Sequence, residues 1–242
     1  MVDMSKTLVI DIGNTKSKVA IFEEMELLQF MDVCQSNELE ELISTHQIKH
    51  AILSSVKSNN KALIDLVHAQ CELKILTHST ILPFENNYAT PHTLGMDRIA
   101  GVAGAIHFYP KKPCLVIDIG TCITYDLIDA NAVYQGGAIS PGLHMRLKAM
   151  NTFTDKLPLV EFAGEPDLIG KSTDSCMSSG AFNGMIGEIN ETIARYSELF
   201  NGLQVIICGG DTALFGKHIK NNIFAAPNLV LYGLNKILLF NV

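Results

Sequence analysis

Asp11 and Asp118 stand at the same place in two identical hexapeptides, Leu8-Val9-Ile10-Asp11-Ile12-Gly13 and Leu115-Val116-Ile117-Asp118-Ile119-Gly120. Polar residues follow each glycine, Asn14-Thr15 after the first and Thr121-Cys122-Ile123-Thr124 after the second. A carboxylate closing an apolar run, a glycine that lets backbone amides turn inward, and hydroxyl donors beside it can together hold a hydrated cation against phosphate oxygens. The alternative for each aspartate is a hydrogen bond to its own turn amides. Six consecutive identities exceed what strand composition supplies, so the pair reads as an internal duplication. Its two carboxylates and two glycine turns could then face each other across a cleft.

The elements that must carry these groups follow from periodicity. Thr7 to Phe22 reads as strand, hairpin, strand, with the turn at Gly13 to Lys16. A helix is expected over Glu38 to His46, a third strand over Ala51 to Val56, and an amphipathic helix over Lys61 to Gln70, where Leu63, Ile64, Leu66 and Val67 are apolar. Thr77 to His92, with two prolines and Tyr88, reads mainly as loop, and loops of that length in compact domains are often functional. A helix then begins at Met96 or Asp97 and runs to His107, with Asp97 in the first turn, where the helix dipole favours a carboxylate.

Pro110 to Pro113 is a short linker and marks the expected boundary, giving domains 1–110 and 111–242, with a C-terminal helix able to pack back on the first. Beyond it the strand-hairpin plan restarts, with Ala132 to Gln135 as a third strand, a glycine-proline turn over Gly136 to Gly142, and a helix over Leu143 to Asn151. Ala181 to Phe200 has the clearest helical face, formed by Phe182, Met185, Ile186, Ile189, Ile193, Tyr196 and Leu199. A strand over Val205 to Cys208 ends in Gly209-Gly210-Asp211, and Asn228 to Phe240 closes the chain as a helix.

The composition bounds the function. In 242 residues, 48% are hydrophobic and 18% charged, which is globular. A net charge of -7 without any lysine or arginine run argues against nucleic acid as a partner. Cys34, Cys71, Cys114, Cys122, Cys176 and Cys208 include no Cys-x-x-Cys pair, and the eight histidines show no ligand spacing. Neither a secretory signal nor a membrane span is visible, so buried, reduced thiols in a cytoplasmic protein are expected.

Two hairpins led by Asp-x-Gly, with a late strand ending in Gly-Gly, resemble the actin, sugar-kinase and Hsp70-type ATPase superfamily. That resemblance implies two ribonuclease H-like (actin-like ATPase) domains, each a mixed five-stranded sheet with flanking helices. Within it the chain most resembles the type III pantothenate kinases. The match is carried by Asp11-Ile12-Gly13-Asn14-Thr15, Gly95-Met96-Asp97-Arg98, Asp118-Ile119-Gly120-Thr121 with Thr124, Gly136-Gly137-Ala138-Ile139-Ser140-Pro141-Gly142, and Gly170-Lys171-Ser172-Thr173. Cys122 stands where that family more often has alanine.

The resemblance implies ATP-dependent phosphorylation of pantothenate to 4'-phosphopantothenate, the first step of coenzyme A biosynthesis, by a cytoplasmic homodimer. It implies ATP contacts from Asp11, Ile12, Gly13, Asn14, Thr15, Lys16, Ser17, Lys18 and Thr121, with Asp11 on the Mg2+-ATP side. Asp118 would serve a monovalent cation, K+ or NH4+. Asp97 would be the proton acceptor, and Tyr88, Gly95, Met96, Asp97, Arg98 and Thr173 would meet pantothenate, Thr173 across a dimer interface.

Each role has a plainer alternative on sequence alone. Lys18 on an outgoing strand can face solvent, Tyr88 can pack its ring at a loop edge, and Thr173 can cap a helix. Asp97 can pair with its neighbour Arg98, itself a surface arginine. Two other functions compete: a small-molecule kinase of the same superfamily with another acceptor, and a regulatory relative without catalysis. The second sits poorly with a chain that keeps Asp11, Asp97 and Asp118 together.

Overall fold

The computed structural model describes residues 6–13, 17–32, 36–55 and 60–242. Asn14, Thr15 and Lys16 of the first hairpin, Cys34, and Val56 at the end of an expected strand lie outside the described residues. In chain order the elements are β1 Lys6–Ile12, β2 Ser17–Glu23, β3 Glu26–Asp32, α1 Ser36–His46, β4 His50–Ser55, α2 Lys61–His68, β5 Glu72–Ile75, β6 Glu85–Asn86 and α3 Met96–Phe108. They continue with β7 Cys114–Ile119, β8 Cys122–Ile128, β9 Val133–Pro141, α4 Leu143–Thr152, α5 Thr173–Leu199, β10 Gln204–Cys208, α6 Thr212–Phe215, β11 Phe224–Ala225 and α7 Leu229–Leu239.

The chain divides into two compact units. One comprises residues 1–110, 132–134 and 228–242, and the other 111–131 and 135–227. The sheet of the first is ordered β3-β2-β1-β4-β5, and the second sheet contains β9-β8-β7-β10-β11, the same plan repeated strand for strand. In both, the strand that carries the repeated hexapeptide is central, antiparallel to the next strand and parallel to the strand that follows a helix. Central strands are covered on both faces, which explains why the hexapeptide is continuously apolar up to its aspartate. The second sheet exceeds the expected five strands because the short β6 pairs in parallel with Val133 and Tyr134, which count with the first unit.

Leu8, Ile10, Val19, Ile21 and Leu53 build the first core with Leu39, Ile43 and Val67 from α1 and α2. On its other side α7 lies against α3. A side chain at Gly233 or Gly104 would strike the backbone of the facing helix, so the glycines set the closeness of that pair. Asn235 of α7 is fully buried. Its Oδ1 accepts from Thr7 Oγ1 at 2.6 Å, and its Nδ2 donates to the Glu24 carbonyl at 2.5 Å. Removing either partner would strand a buried polar group, at a cost of about 1–3 kcal/mol.

The second core gathers Leu115, Ile117, Ile119, Ile123 and Tyr125 with Met177, Phe182, Met185, Ile189 and Ile193 of α5. The thiols fall short of uniform burial: Cys114 and Cys208 are buried, whereas Cys176 is exposed, and none of the five described cysteines is in a disulfide. No described helix is long and apolar enough to cross a membrane.

Several expectations need correction. The glycine-proline stretch over Gly136 to Gly142 is no turn: β9 runs on to Pro141. Gly137 is needed because the β8 backbone at Tyr125 approaches too closely for any side chain. Helix α5 begins at Thr173, eight residues before Ala181, and Leu199 at its end is 75% exposed rather than part of the core face. Strands β3 and β5 are additional to the expected elements.

Candidate functional site

In the first unit, four of the expected substrate residues come together at the start of α3. Gly95 is the N-cap, with φ −60° and ψ 140°, and it has no side chain to satisfy the helix's leading amides. Asp97 takes over that duty from inside the first turn, where its Oδ1 accepts from the Arg98 N–H at 2.9 Å. A Cβ placed on Gly95 would lie 2.4 Å from the same Oδ1, so glycine at 95 is what admits the carboxylate. Asp97 is exposed, and its Oδ1 is bonded to the backbone of Arg98.

Arg98 itself is no surface arginine. It is 8% exposed, and its guanidinium carbon sits 5.7 Å from the centroid of the Tyr88 ring, within cation–π range. Tyr88 is placed by an Asx turn, in which its N–H donates to Asn86 Oδ1 at 3.0 Å, and by a ring contact with buried Tyr134 at 6.0 Å. Phe84 packs edge-on to Tyr134 from the same loop. The His78 ring contributes Nε2 to the Leu94 carbonyl at 3.0 Å, just before Gly95. Tyr134, Phe84 and His78 were not singled out by sequence. Only the length of the loop, which reads as functional, pointed to this stretch.

The first hairpin contributes Asp11, half-buried near the end of β1, opposite Lys18 of β2 and beside Ser54 of β4. Opposite charges at directly facing positions of an antiparallel pair support the hairpin. The Lys18 ammonium lies 6.0 Å from the Phe30 ring centroid, which places it along β3 rather than in open solvent. Ile12 is 5% exposed and belongs to the first core, while Gly13 and Ser17 are half-buried.

In the second unit, Asp118 faces Thr124 across the hairpin and Cys208 on β10. Gly209, at φ +96°, brings its backbone so near that a Cβ there would lie 2.4 Å from both Asp118 Oδ1 and the Ile119 carbonyl oxygen. Both the positive φ and the close approach demand glycine. The turn is closed by Gly120 N–H donating to the Cys122 carbonyl at 2.9 Å, and Gly142 N–H donates to the Thr121 carbonyl at 3.1 Å. Asp211 N–H donates to the Ile119 carbonyl at 3.0 Å, and burial holds the Asp211 carboxyl above its ordinary pKa, with His144 drawing it partly back.

A carboxylate and main-chain carbonyl near one glycine suit a hard cation, which prefers oxygen. Among the described residues no group of three or more His, Cys, Asp or Glu could hold a metal, so a cation here would keep much of its water. Thr121 is exposed at the turn. Thr173 is also exposed but is no cap: Ser172 is the N-cap, in a reciprocal box with Ser175.

Comparison with known proteins gives a consistent picture. A family model for type III pantothenate kinase matches residues 7–195. A type III pantothenate kinase from Christiangramia forsetii is 46% identical over 97% of this chain and 98% of its own length. Another, from Phocaeicola vulgatus, is 43% identical over the same shares of the two chains. Among solved structures, a Baf-family protein from Campylobacter jejuni superposes with a TM-score of 0.63 at 20% identity, covering 97% of this chain and 98% of that one. A ROK family glucokinase from Streptomyces griseus, in complex with glucose and AMPPNP, gives 0.51 at 13% identity over 98% and 99%. At such identities the structural likeness speaks for the shared actin-like ATPase fold alone.

Proposed function

This chain belongs to the type III pantothenate kinase family, a family of phosphotransferases acting in coenzyme A biosynthesis, and from that premise we propose which of its residues carry the reaction. Asp97 is the proton acceptor for the primary hydroxyl of pantothenate. Phosphoryl transfer passes through a loose transition state with little proton transfer needed early, so the carboxylate mainly orients the alcohol and takes its proton as the new O–P bond forms. The observation that carries this reading is the Gly95–Asp97–Arg98 turn. Asp97 Oδ1 is fixed by a main-chain N–H, and the side chain is open to solvent, where an alcohol can reach it.

Arg98 and Tyr88 bind pantothenate, with Gly95 and Met96 lining its approach. A buried guanidinium held beneath an aromatic ring is pre-organised for the substrate's carboxylate, because it gives up little conformational freedom on binding. The backbone amides of the two glycine turns, with Asp11, Ile12, Gly13, Asn14, Thr15, Lys16, Ser17, Lys18 and Thr121, take the phosphates of ATP. Asp11 would hold Mg2+ and Asp118 a monovalent cation, K+ or NH4+. Such ions neutralise charge on the phosphate oxygens. Thr173 completes the substrate site in a homodimer, a reading supported by its exposure and by Leu168 and Ile169, each 75% exposed, on the segment before it. A cytoplasmic location fits the free thiols.

Replacing Asp97 by Asn tests the assignment. With pantothenate, Mg2+ and K+ in a coupled ADP-release assay, kcat should fall about 10²–10⁴-fold, the usual worth of a positioned base, while calorimetry still detects ATP binding. Unchanged turnover would remove Asp97 from the mechanism.

A further inference from the structure

A hydrogen-bonded cluster in the second unit lies outside every role assigned so far. Arg146, on the first turns of α4, donates from Nε to the Pro141 carbonyl at 2.8 Å and from Nη2 to Ser140 Oγ at 2.9 Å. Its Nη2 also pairs with Glu188 Oε2, from the middle of α5. The other oxygen, Glu188 Oε1, accepts from Tyr125 Oη of β8 at 2.9 Å, and Tyr125 is 1% exposed. Burial pushes the Glu188 carboxyl up, yet its bonds from Arg146, Ser140 and Tyr125 outweigh that and hold it below the ordinary range, so it is ionised at neutral pH. The cluster therefore ties α4, α5 and β8 to one short piece of chain, the end of β9.

That piece of chain is the support of the second hairpin. The next residue, Gly142, is buried, donates to the Thr121 carbonyl and accepts from Arg146 N–H at 3.0 Å. Any side chain at 142 would collide with the Gly120 and Thr121 carbonyls. With the backbones in direct contact, a shift of Ser140-Pro141 must be passed to the Gly120–Thr121 turn, because close-packed backbone cannot absorb it.

We infer that Arg146 and Glu188 are positioning residues that set the Gly120–Thr121 turn for ATP phosphate, acting through Ser140, Pro141 and Gly142. The inference rests on the reading that Thr121 binds ATP. An arginine suits the duty, since its planar fork reaches a carbonyl, a hydroxyl and a carboxylate from one fixed plane, which a lysine cannot do.

The test uses the full-length enzyme and compares Arg146→Ala, Arg146→Lys, Glu188→Gln and Thr121→Ala, measuring KM for ATP, KM for pantothenate, kcat and Tm. Arg146→Ala should raise the KM for ATP about tenfold, the scale of one lost charge-assisted contact. The pantothenate KM should stay within about twofold, with Arg146→Lys intermediate. If Arg146→Ala does not fold, Arg146→Lys and Glu188→Gln, which nearly preserve volume, are read the same way. A lower Tm with no change in the KM for ATP, or equal rises in both KM values, overturns the inference and leaves the cluster a structural brace. If Thr121→Ala raises the KM for ATP while the Arg146 variants do not, only the positioning role falls. If Thr121→Ala itself has no effect, the reading of the turn falls and takes the inference with it.

Discussion

Gly95→Ala offers a way to move the candidate base without touching it. The backbone at 95, φ −60° and ψ 140°, is open to alanine, so no torsional strain arises. The new methyl would start 2.4 Å from Asp97 Oδ1, and ordinary contact begins at 3.4 Å, so the carboxylate must retreat by about 1 Å. Because the obstructing atom is the end of a rotatable side chain, the carboxylate swings away and the helix stays in place. Giving up the bond to the Arg98 N–H costs about 0.5–2 kcal/mol, as for other lost caps. Restricting the unfolded chain by replacing glycine returns about 0.4–1 kcal/mol. Stability should thus change by no more than about 1.6 kcal/mol. Catalysis responds differently, because a 1 Å misplacement of a catalytic group costs on the order of a hundredfold, or about 2.7 kcal/mol in the barrier. Steady-state turnover with saturating pantothenate and ATP, alongside a thermal melt and ATP calorimetry, separates the two effects. A folded Gly95→Ala enzyme with kcat within about threefold of wild type would refute the claim that Asp97 works from the position described.

Two further outcomes follow from the second unit. Gly209→Ala must place a side chain at φ +96° against the Asp118 carboxylate and the Ile119 carbonyl, which unlike the Asp97 case is backbone that cannot swing aside. Left-handed strain of about 1–2 kcal/mol and crowding of about 1–3 kcal/mol together should lower Tm by on the order of 10 °C in differential scanning calorimetry; a melt within a degree or two of wild type would contradict the geometry. Asp211 tests linkage. Its carboxyl is raised by burial, with His144 opposing, so the folded protein binds that proton more tightly than the unfolded chain does, and stability is lost as pH climbs through the raised value. Asp211→Asn should therefore gain Tm over wild type at about pH 7 and lose that advantage progressively as pH falls below the ordinary carboxylate value of about 3.9, where the aspartate is protonated in both folded and unfolded chains; a pH-independent difference would exclude the carboxyl as the source.

The parts of the fold that were legible in the chain are those where one physical cause dominates. Buried central strands read directly as Leu-Val-Ile runs, and α3 as an apolar helical period, because extensive burial imposes a clear pattern even where a single polar residue such as Arg98 interrupts it. Strand β3, Glu-Leu-Leu-Gln-Phe-Met-Asp, hid because it is largely exposed at the sheet edge and so lacks any clean alternation. The glycines at 136 and 137 suggested a turn, whereas the second of them is demanded by the nearness of β8, a tertiary cause with no local signature. At the candidate site, spacing and resemblance pointed to Tyr88, Gly95, Asp97 and Arg98, but the burial of Arg98 beneath Tyr88 ran against the usual fate of an arginine. The Arg146–Glu188 pair was invisible, since its partners are 42 residues apart and the glutamate sits among the isoleucines of a helix that reads as core.

The buried Asn235 carries a consequence for how the enzyme comes into being. A polypeptide leaves the ribosome N-terminus first, so β1, with Thr7 waiting for its partner, and α3, with its bed for Gly233, are made long before α7 exists. Residues 111–131 and 135–227 contain all of the second unit and are complete before synthesis ends, while the first unit lacks its last wall until the final helix emerges. The helix that carries Asp97 gains its contacts with α7 only once Leu229 and Gly233 have been made, and a chain cut short before 228 would keep its aspartates in sequence yet lack that brace on the helix.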